Sequence, residues 1–169
     1  RAGTWCLSLL GLGHRQPSRT VFMPMNSFQV AAPASAANLG PGFDCLGLAL
    51  DLWNTIDVQV LPSGAQTTIE ISGEGADELT AGKDNLVLRS MAFLFNEAGS
   101  EIPAVKLSCH NGVPLARGLG SSSAAIAAGL VAANALCATG FGSNDLLEMA
   151  TTIEGHPDNV AASLLGGLH

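Results

Sequence analysis

The chain has 169 residues, of which 47% are hydrophobic and 12% are charged. This length supports one domain with a hydrophobic core and is too short for two domains of ordinary size. The formal net charge of −7 argues against a nucleic-acid-binding surface, since such surfaces need clustered Lys and Arg.

We expect residues 1–26 to lie outside the fold and residues 27–169 to form the domain. No acidic residue occurs from Arg1 to Phe43, which is typical of a transit peptide and equally consistent with sequence upstream of an internal start. The apolar stretch from Trp5 to Leu12 is far below membrane-spanning length, so no membrane association is predicted. A cytoplasmic location is predicted, and a plastid location stays open if the leader is a transit peptide.

One short apolar stretch and two stretches of alternating apolar and polar residues predict three strands in the first half of the chain. The first covers Phe28–Ala32 and ends at a proline, after which residues 33–44 form a turn-rich loop. The others cover Ile56–Val60 and Thr68–Ser72, each with one apolar face. The Pro-Ser-Gly break at residues 62–64 predicts that these two strands pair as a hairpin.

Helical patterns dominate the second half. A buried helix is predicted from an N-cap at Asp84 to Ala98, with Gly99 as its stop signal. A strand with alternating apolar residues follows at Val105–Cys109. An alanine-rich helix is then predicted over about Ser122–Cys137, and its small side chains allow close approach to a sheet.

The last predicted helix covers Asn144–Ile153 and is capped by Ser143. The order of elements predicts an α+β domain. The four cysteines lack a C-x-x-C pair, so buried free thiols are expected rather than disulfides or a zinc site: Cys6, Cys45, Cys109 and Cys137.

A glycine- and serine-rich run precedes the alanine-rich helix and has the chemistry of a phosphate site. Gly118 and Gly120 can turn successive N–H groups toward one anion, and the helix N-terminus adds its free N–H groups and dipole. No Walker P-loop pattern is present. The alternatives are turn packing and helix capping by one of the serines. The run consists of Pro114, Leu115, Ala116, Arg117, Gly118, Leu119, Gly120, Ser121, Ser122, Ser123 and Ala124.

Two further polar clusters lie on either side of this run. Asn38 and Asp44 sit in a glycine-containing loop, where they either stabilise a turn or contact a ligand. In the segment Glu154–Asn159, the glutamate can complete a magnesium shell and Asp158 can accept a proton from an attacking hydroxyl. The alternative is a solvated turn in which His156 and Asp158 cap backbone groups.

Together, the three clusters resemble the motifs of the homoserine kinase family of the GHMP kinase superfamily: PLARGLGSSSA at 114–124, ANLGPGFD at 37–44 and EGHPDNV at 154–160. The resemblance implies the GHMP kinase N-terminal domain, a ribosomal protein S5 domain 2-like fold. It also implies a C-terminal ferredoxin-like domain, which this sequence lacks. The activity implied is ATP-dependent phosphorylation of the L-homoserine side-chain hydroxyl, on the route to threonine.

The resemblance assigns the nucleotide and metal contacts as follows. Residues 114–124 would surround the ATP phosphates, and Asn85 with Leu86 would contact adenine. Ser122 and Glu154 would hold Mg²⁺, although a neighbouring serine could replace Ser122 as the ligand.

The same resemblance places Asn38, Asp44 and His156 against homoserine, with Asp44 suited to its ammonium group. Asp158 and Asn159 fall at the catalytic position, yet positioning and charge stabilisation can suffice without a dedicated base. Two alternatives stay open: another GHMP kinase, such as a mevalonate-type enzyme, and a fragment that binds ATP without catalysis. No nucleic-acid partner is expected, and a homodimer is left open.

Overall fold

The computed structural model describes residues 27–42, 45–137 and 140–169. The predicted leader at residues 1–26 and Asp44 lie outside this part of the chain, so the domain boundary stays a prediction. The strands are β1 (Ser27–Ala37), β2 (Gly47–Val60), β3 (Thr68–Gly73) and β4 (Val105–Asn111), and the helices are α1 (Leu86–Glu97), α2 (Ser121–Leu136), α3 (Ser143–Glu154) and α4 (Asp158–Leu165).

The strands form a four-stranded mixed sheet in the order β1-β2-β4-β3. The predicted hairpin between β2 and β3 is wrong, because β4 lies between them, antiparallel to β2 and parallel to β3. Helix α1 connects β3 to β4, as parallel neighbours require a crossover. Alternation had identified the buried faces of β2 and β4 correctly, but it carries no information about the neighbouring strand.

Strand β1 continues through Pro33, so the predicted end of this strand is also wrong. The register shifts between Pro33 and Ala34, where Pro33 pairs with Trp53 and Ala34 with Leu50. Strand β1 lies at the sheet edge, and proline is tolerated at edges and bulges because it has no N–H to donate. The strand therefore extends to Ala37, directly before Asn38.

The helix caps also differ from the predicted ones. Asn85, not Asp84, caps α1, since its Oδ1 accepts a hydrogen bond from the Val87 N–H at 3.0 Å. Gly142, not Ser143, precedes α3. Gly120 precedes α2, so none of the three serines caps that helix.

Helix α4 was not predicted, because a proline at residue 157 suggested a turn there. Proline is compatible with a helix start, and α4 begins immediately after it.

Helix α2 lies at the centre of the core, packed against the sheet and against α1. A Cβ on Gly129 would lie 2.6 Å from the Val87 carbonyl oxygen of α1, so only glycine allows this approach. Helix α2 also packs against β1 and β2, in line with the prediction that its small side chains allow close approach to a sheet. Ile126 and Leu130 of α2 are at most 1% exposed.

Three cysteines lie in the described part of the chain, and no disulfide joins them. Cys109 and Cys137 are buried as predicted, whereas Cys45 is exposed. Within the same residues, no helix is both long and apolar enough to cross a bilayer.

Burial raises the pKa of the Cys109 thiol to about 11, from an ordinary value of 9.0. Between these values the unfolded chain loses this proton while the folded chain keeps it, so stability falls as pH rises. We expect Cys109→Ala to remove the contribution of this thiol to the pH dependence. The unfolding free energy should then decline less steeply, by about 1.4 kcal/mol per pH unit. Urea unfolding at several pH values between pH 8 and pH 11 measures this slope. Val105→Ala, a buried change on the same strand, should lower stability at every pH without altering the slope, and equal slopes for Cys109→Ala and wild type would contradict the assignment.

Candidate active site

One cleft of about 610 Å³ brings residues of all three polar clusters together. Its walls include Asn38, residues 114–122, Glu154, His156 and Asn159. The predicted adenine contacts Asn85 and Leu86 line it as well. Of the predicted site residues that the structure describes, three do not line the cleft and are at most 5% exposed: Ser123, Ala124 and Asp158.

The glycine-rich run has the backbone geometry of an anion cradle. Positive φ values recur at alternate residues, with 53° at Ala116, 68° at Gly118 and 62° at Gly120. Such alternation turns successive N–H groups toward a common point. Helix α2 begins at Ser121, and its first turn carries no acidic side chain that would oppose an anion. The cradle therefore favours a phosphate-sized anion at the helix N-terminus.

Gly120 is in close contact with Ser35 of β1. A Cβ at this position would lie 2.2 Å from Ser35 Oγ and 3.2 Å from Asn159 Oδ1. The Ser35 N–H also donates to the Leu119 carbonyl at 3.0 Å. Sequence reasoning missed Ser35, and the only signal was a polar residue within an apolar, alanine-rich strand.

The predicted metal pair lies together at the start of α2 and the end of α3. Ser122 Oγ donates to Glu154 Oε1 at 2.7 Å, and Ser123 Oγ donates to the same oxygen at 2.9 Å. Within the described residues no cluster of three or more His, Cys, Asp or Glu side chains exists. Mg²⁺ commonly takes one or two carboxylates and completes its shell with phosphate oxygens and water. One carboxylate and a hydroxyl beside a phosphate cradle fit that ion.

Asp158 is 5% exposed and connects the loop that contains Asn38 to the segment at residues 154–159. Its Oδ2 accepts from Asn38 Nδ2 at 3.3 Å, and its Oδ1 accepts from the Asn159 N–H at 2.8 Å. His156 Nδ1 lies 2.5 Å from the same Oδ1. The turn interpretation is therefore wrong in expecting a solvated Asp158, although this carboxylate does accept a backbone N–H as that interpretation expected. This carboxylate holds Asn38 and His156, which both face the cleft.

Part of the cleft lining comes from α1 and from the segment before it. Asn85 Nδ2 donates to the Thr80 carbonyl at 2.9 Å, which attaches the segment before α1 to the helix N-terminus. Ile71, Leu79 and Val87 contribute apolar surface here. Such a surface suits a flat heterocyclic base, and the cradle lies within the same cleft.

The chain is similar to known proteins in both sequence and structure. The chain matches the family model of the GHMP kinases N terminal domain over residues 85–167. It is 51% identical over 142 residues to the homoserine kinase of Streptomyces avermitilis, covering 82% of this chain and 46% of that protein. It is 44% identical over 138 residues to the homoserine kinase of Corynebacterium glutamicum, with 82% and 44% covered.

The crystal structure of homoserine kinase from Cytophaga hutchinsonii superposes with a TM-score of 0.75 at 29% identity, covering 94% of this chain and 50% of that one. The chain thus spans about half the length of the relatives it matches.

Proposed function

Because this chain belongs to the GHMP kinase family, we propose that it forms the ATP-binding part of an enzyme that phosphorylates L-homoserine. The γ-phosphoryl group of ATP would pass to the side-chain hydroxyl, giving O-phospho-L-homoserine, ADP and a proton. The observation that carries this proposal is the single cleft that joins the phosphate cradle, the Ser122–Glu154 pair and the Asn38–Asp158–His156 cluster. The identity to homoserine kinases favours this substrate over that of a mevalonate-type kinase.

At the nucleotide end, the backbone N–H groups of residues 117–123 would bind phosphate oxygens, and the α2 dipole would favour their charge. Asn85 and Leu86 would border the base. Ser122 and Glu154 would hold Mg²⁺, which neutralises charge on the transferring phosphoryl group when bound. Catalysis would then come mainly from orientation and charge stabilisation.

At the acceptor end, Asn38, Asp44 and His156 would bind homoserine, and Asp44 would pair with its ammonium group. Both oxygens of Asp158 accept hydrogen bonds or contact a ring nitrogen, which supports an orienting role for this carboxylate. Asn159 faces the cleft and would contact the reacting phosphate.

The decisive assay supplies the full-length protein with ATP, Mg²⁺ and L-homoserine and follows ADP release. Asp44→Ala should raise the KM for homoserine at least about tenfold, because the ammonium group loses its charged partner. The control Asp57→Asn removes an exposed carboxylate of β2 and should leave KM unchanged. Activity on mevalonate without activity on homoserine would contradict the proposal.

We further propose a cytoplasmic enzyme that acts on small molecules without nucleic-acid or membrane partners. The net charge of −7 supports the expectation that the protein has no nucleic-acid partner. A homodimer remains open to measurement by light scattering.

A further inference from the structure

A buried chain of hydrogen bonds runs behind the phosphate cradle. Ser163 Oγ of α4 donates to Ser35 Oγ at 3.1 Å, and Ser35 Oγ donates to Asn159 Oδ1 at 3.0 Å. Ser35 is fully buried and Ser163 is 4% exposed. Burying a hydroxyl group costs free energy unless it is hydrogen-bonded. These two hydrogen bonds therefore satisfy both buried serine hydroxyls.

Ser35 connects three segments that are distant in sequence. Its N–H holds the Leu119 carbonyl of the cradle, its side chain holds Asn159 of α4, and the residue itself belongs to β1. The close approach of Ser35 Oγ to Gly120 also leaves no room for a side chain there. The cradle and α4 carry predicted site residues, and β1 ends directly before Asn38, so Ser35 sets the relative positions of these groups.

The direction of these bonds determines how the Asn159 amide is oriented. Since Oδ1 accepts from Ser35, the amide nitrogen is turned away from the buried chain, and Asn159 lines the cleft. Among the described residues, Asn159 Nδ2 makes no hydrogen bond. Two N–H donors are therefore available to an anionic oxygen held in the cradle.

We propose that Ser35 is a positioning residue for phosphoryl transfer, which aligns the glycine-rich cradle with the Asn159 amide. This rests on the proposed ATP-binding function. Removing the hydroxyl would leave Asn159 Oδ1 without its donor and Ser163 without its acceptor. The amide could then rotate, and Gly120 would lose its contact with the Ser35 hydroxyl, while the backbone bond from the Ser35 N–H to the Leu119 carbonyl would remain.

The test compares Ser35→Ala with Ser90→Ala in the full-length protein. Ser90 is also fully buried, and its hydroxyl donates to the Leu86 carbonyl within α1, outside the cradle. We expect Ser35→Ala to raise the Kd for Mg·ATP and lower kcat about tenfold each, while Ser90→Ala changes both less than twofold. Hydrogen exchange of the amides of residues 117–123, measured without nucleotide, should accelerate only in Ser35→Ala.

A double-mutant cycle separates positioning from general destabilisation. In an Asn159→Ala background, Ser35→Ala should lower kcat less than twofold further, because the group it orients is gone. Additive effects, or equal effects of Ser35→Ala and Ser90→Ala, would overturn the proposal. Failure of the wild-type protein to phosphorylate homoserine would instead contradict the proposed function, and the exchange measurement would still decide whether Ser35 supports the cradle.

Discussion

Replacing Glu154 by Gln is expected to lower kcat about 100-fold or more while leaving the free energy of unfolding nearly unchanged. Ser122 and Ser123 both donate to Glu154 Oε1, and the Gln carbonyl oxygen can still accept these two bonds. The variant therefore keeps the local packing and loses only the negative charge. That charge would be needed at this position to hold the Mg²⁺ ion proposed above.

The measurement is a steady-state assay at several Mg²⁺ concentrations, together with urea unfolding. Higher Mg²⁺ should recover part of the lost activity if Glu154 binds the metal. Glu148→Gln is the matched control, since Glu148 is an exposed residue on the same helix and away from the cleft. A Glu154→Gln variant with wild-type kcat and wild-type Mg²⁺ dependence would rule out a metal ligand at this residue.

The second large effect is expected for Gly120→Ala, which should destabilise the fold by about 3 kcal/mol and abolish measurable Mg·ATP binding. The new Cβ would meet Ser35 Oγ at 2.2 Å, and Ser35 is held by hydrogen bonds on three sides. Neither residue 120 nor Ser35 can move without disturbing the cradle. The residue also has φ 62°, a conformation that costs an L-residue about 1–2 kcal/mol.

Gly99→Ala separates these two costs. Gly99 has φ 61° beyond the end of α1, and a Cβ there would meet nothing within 4 Å. This variant should lose only about 1 kcal/mol and bind Mg·ATP normally. Unfolding free energies and calorimetric ATP titrations of both variants test the difference. Equal losses would show that the contact with Ser35 does not limit this position.

Much of the fold could be predicted from local patterns. Alternation at Val105, Leu107 and Cys109 identified β4 and its buried face, because side chains in a strand point to opposite faces in turn. Small residues identified α2 as a helix that packs closely. Glycines and serines marked the cradle, since their backbone freedom and hydroxyl groups act within a few residues.

Other features depended on packing between distant segments. Thr68–Ser72 was assigned a hairpin with β2, yet its partner is β4, since a single strand's pattern does not specify its neighbour. Pro33 is accommodated because β1 lies at an edge, which only the sheet order reveals. Ser35 was missed for the same reason: its role comes from contacts with Gly120 and Asn159.

Local patterns were therefore sufficient for the types of most elements, although not for α4, and for the buried faces of β2 and β4, because these are set by backbone preferences and side-chain periodicity over short distances. Only tertiary structure brings Asn38 to Asp158 across 120 positions and Ser35 to Asn159 across 124. Burial of the sheet and of α2 in one core, rather than any local preference, places these polar groups around a single cleft.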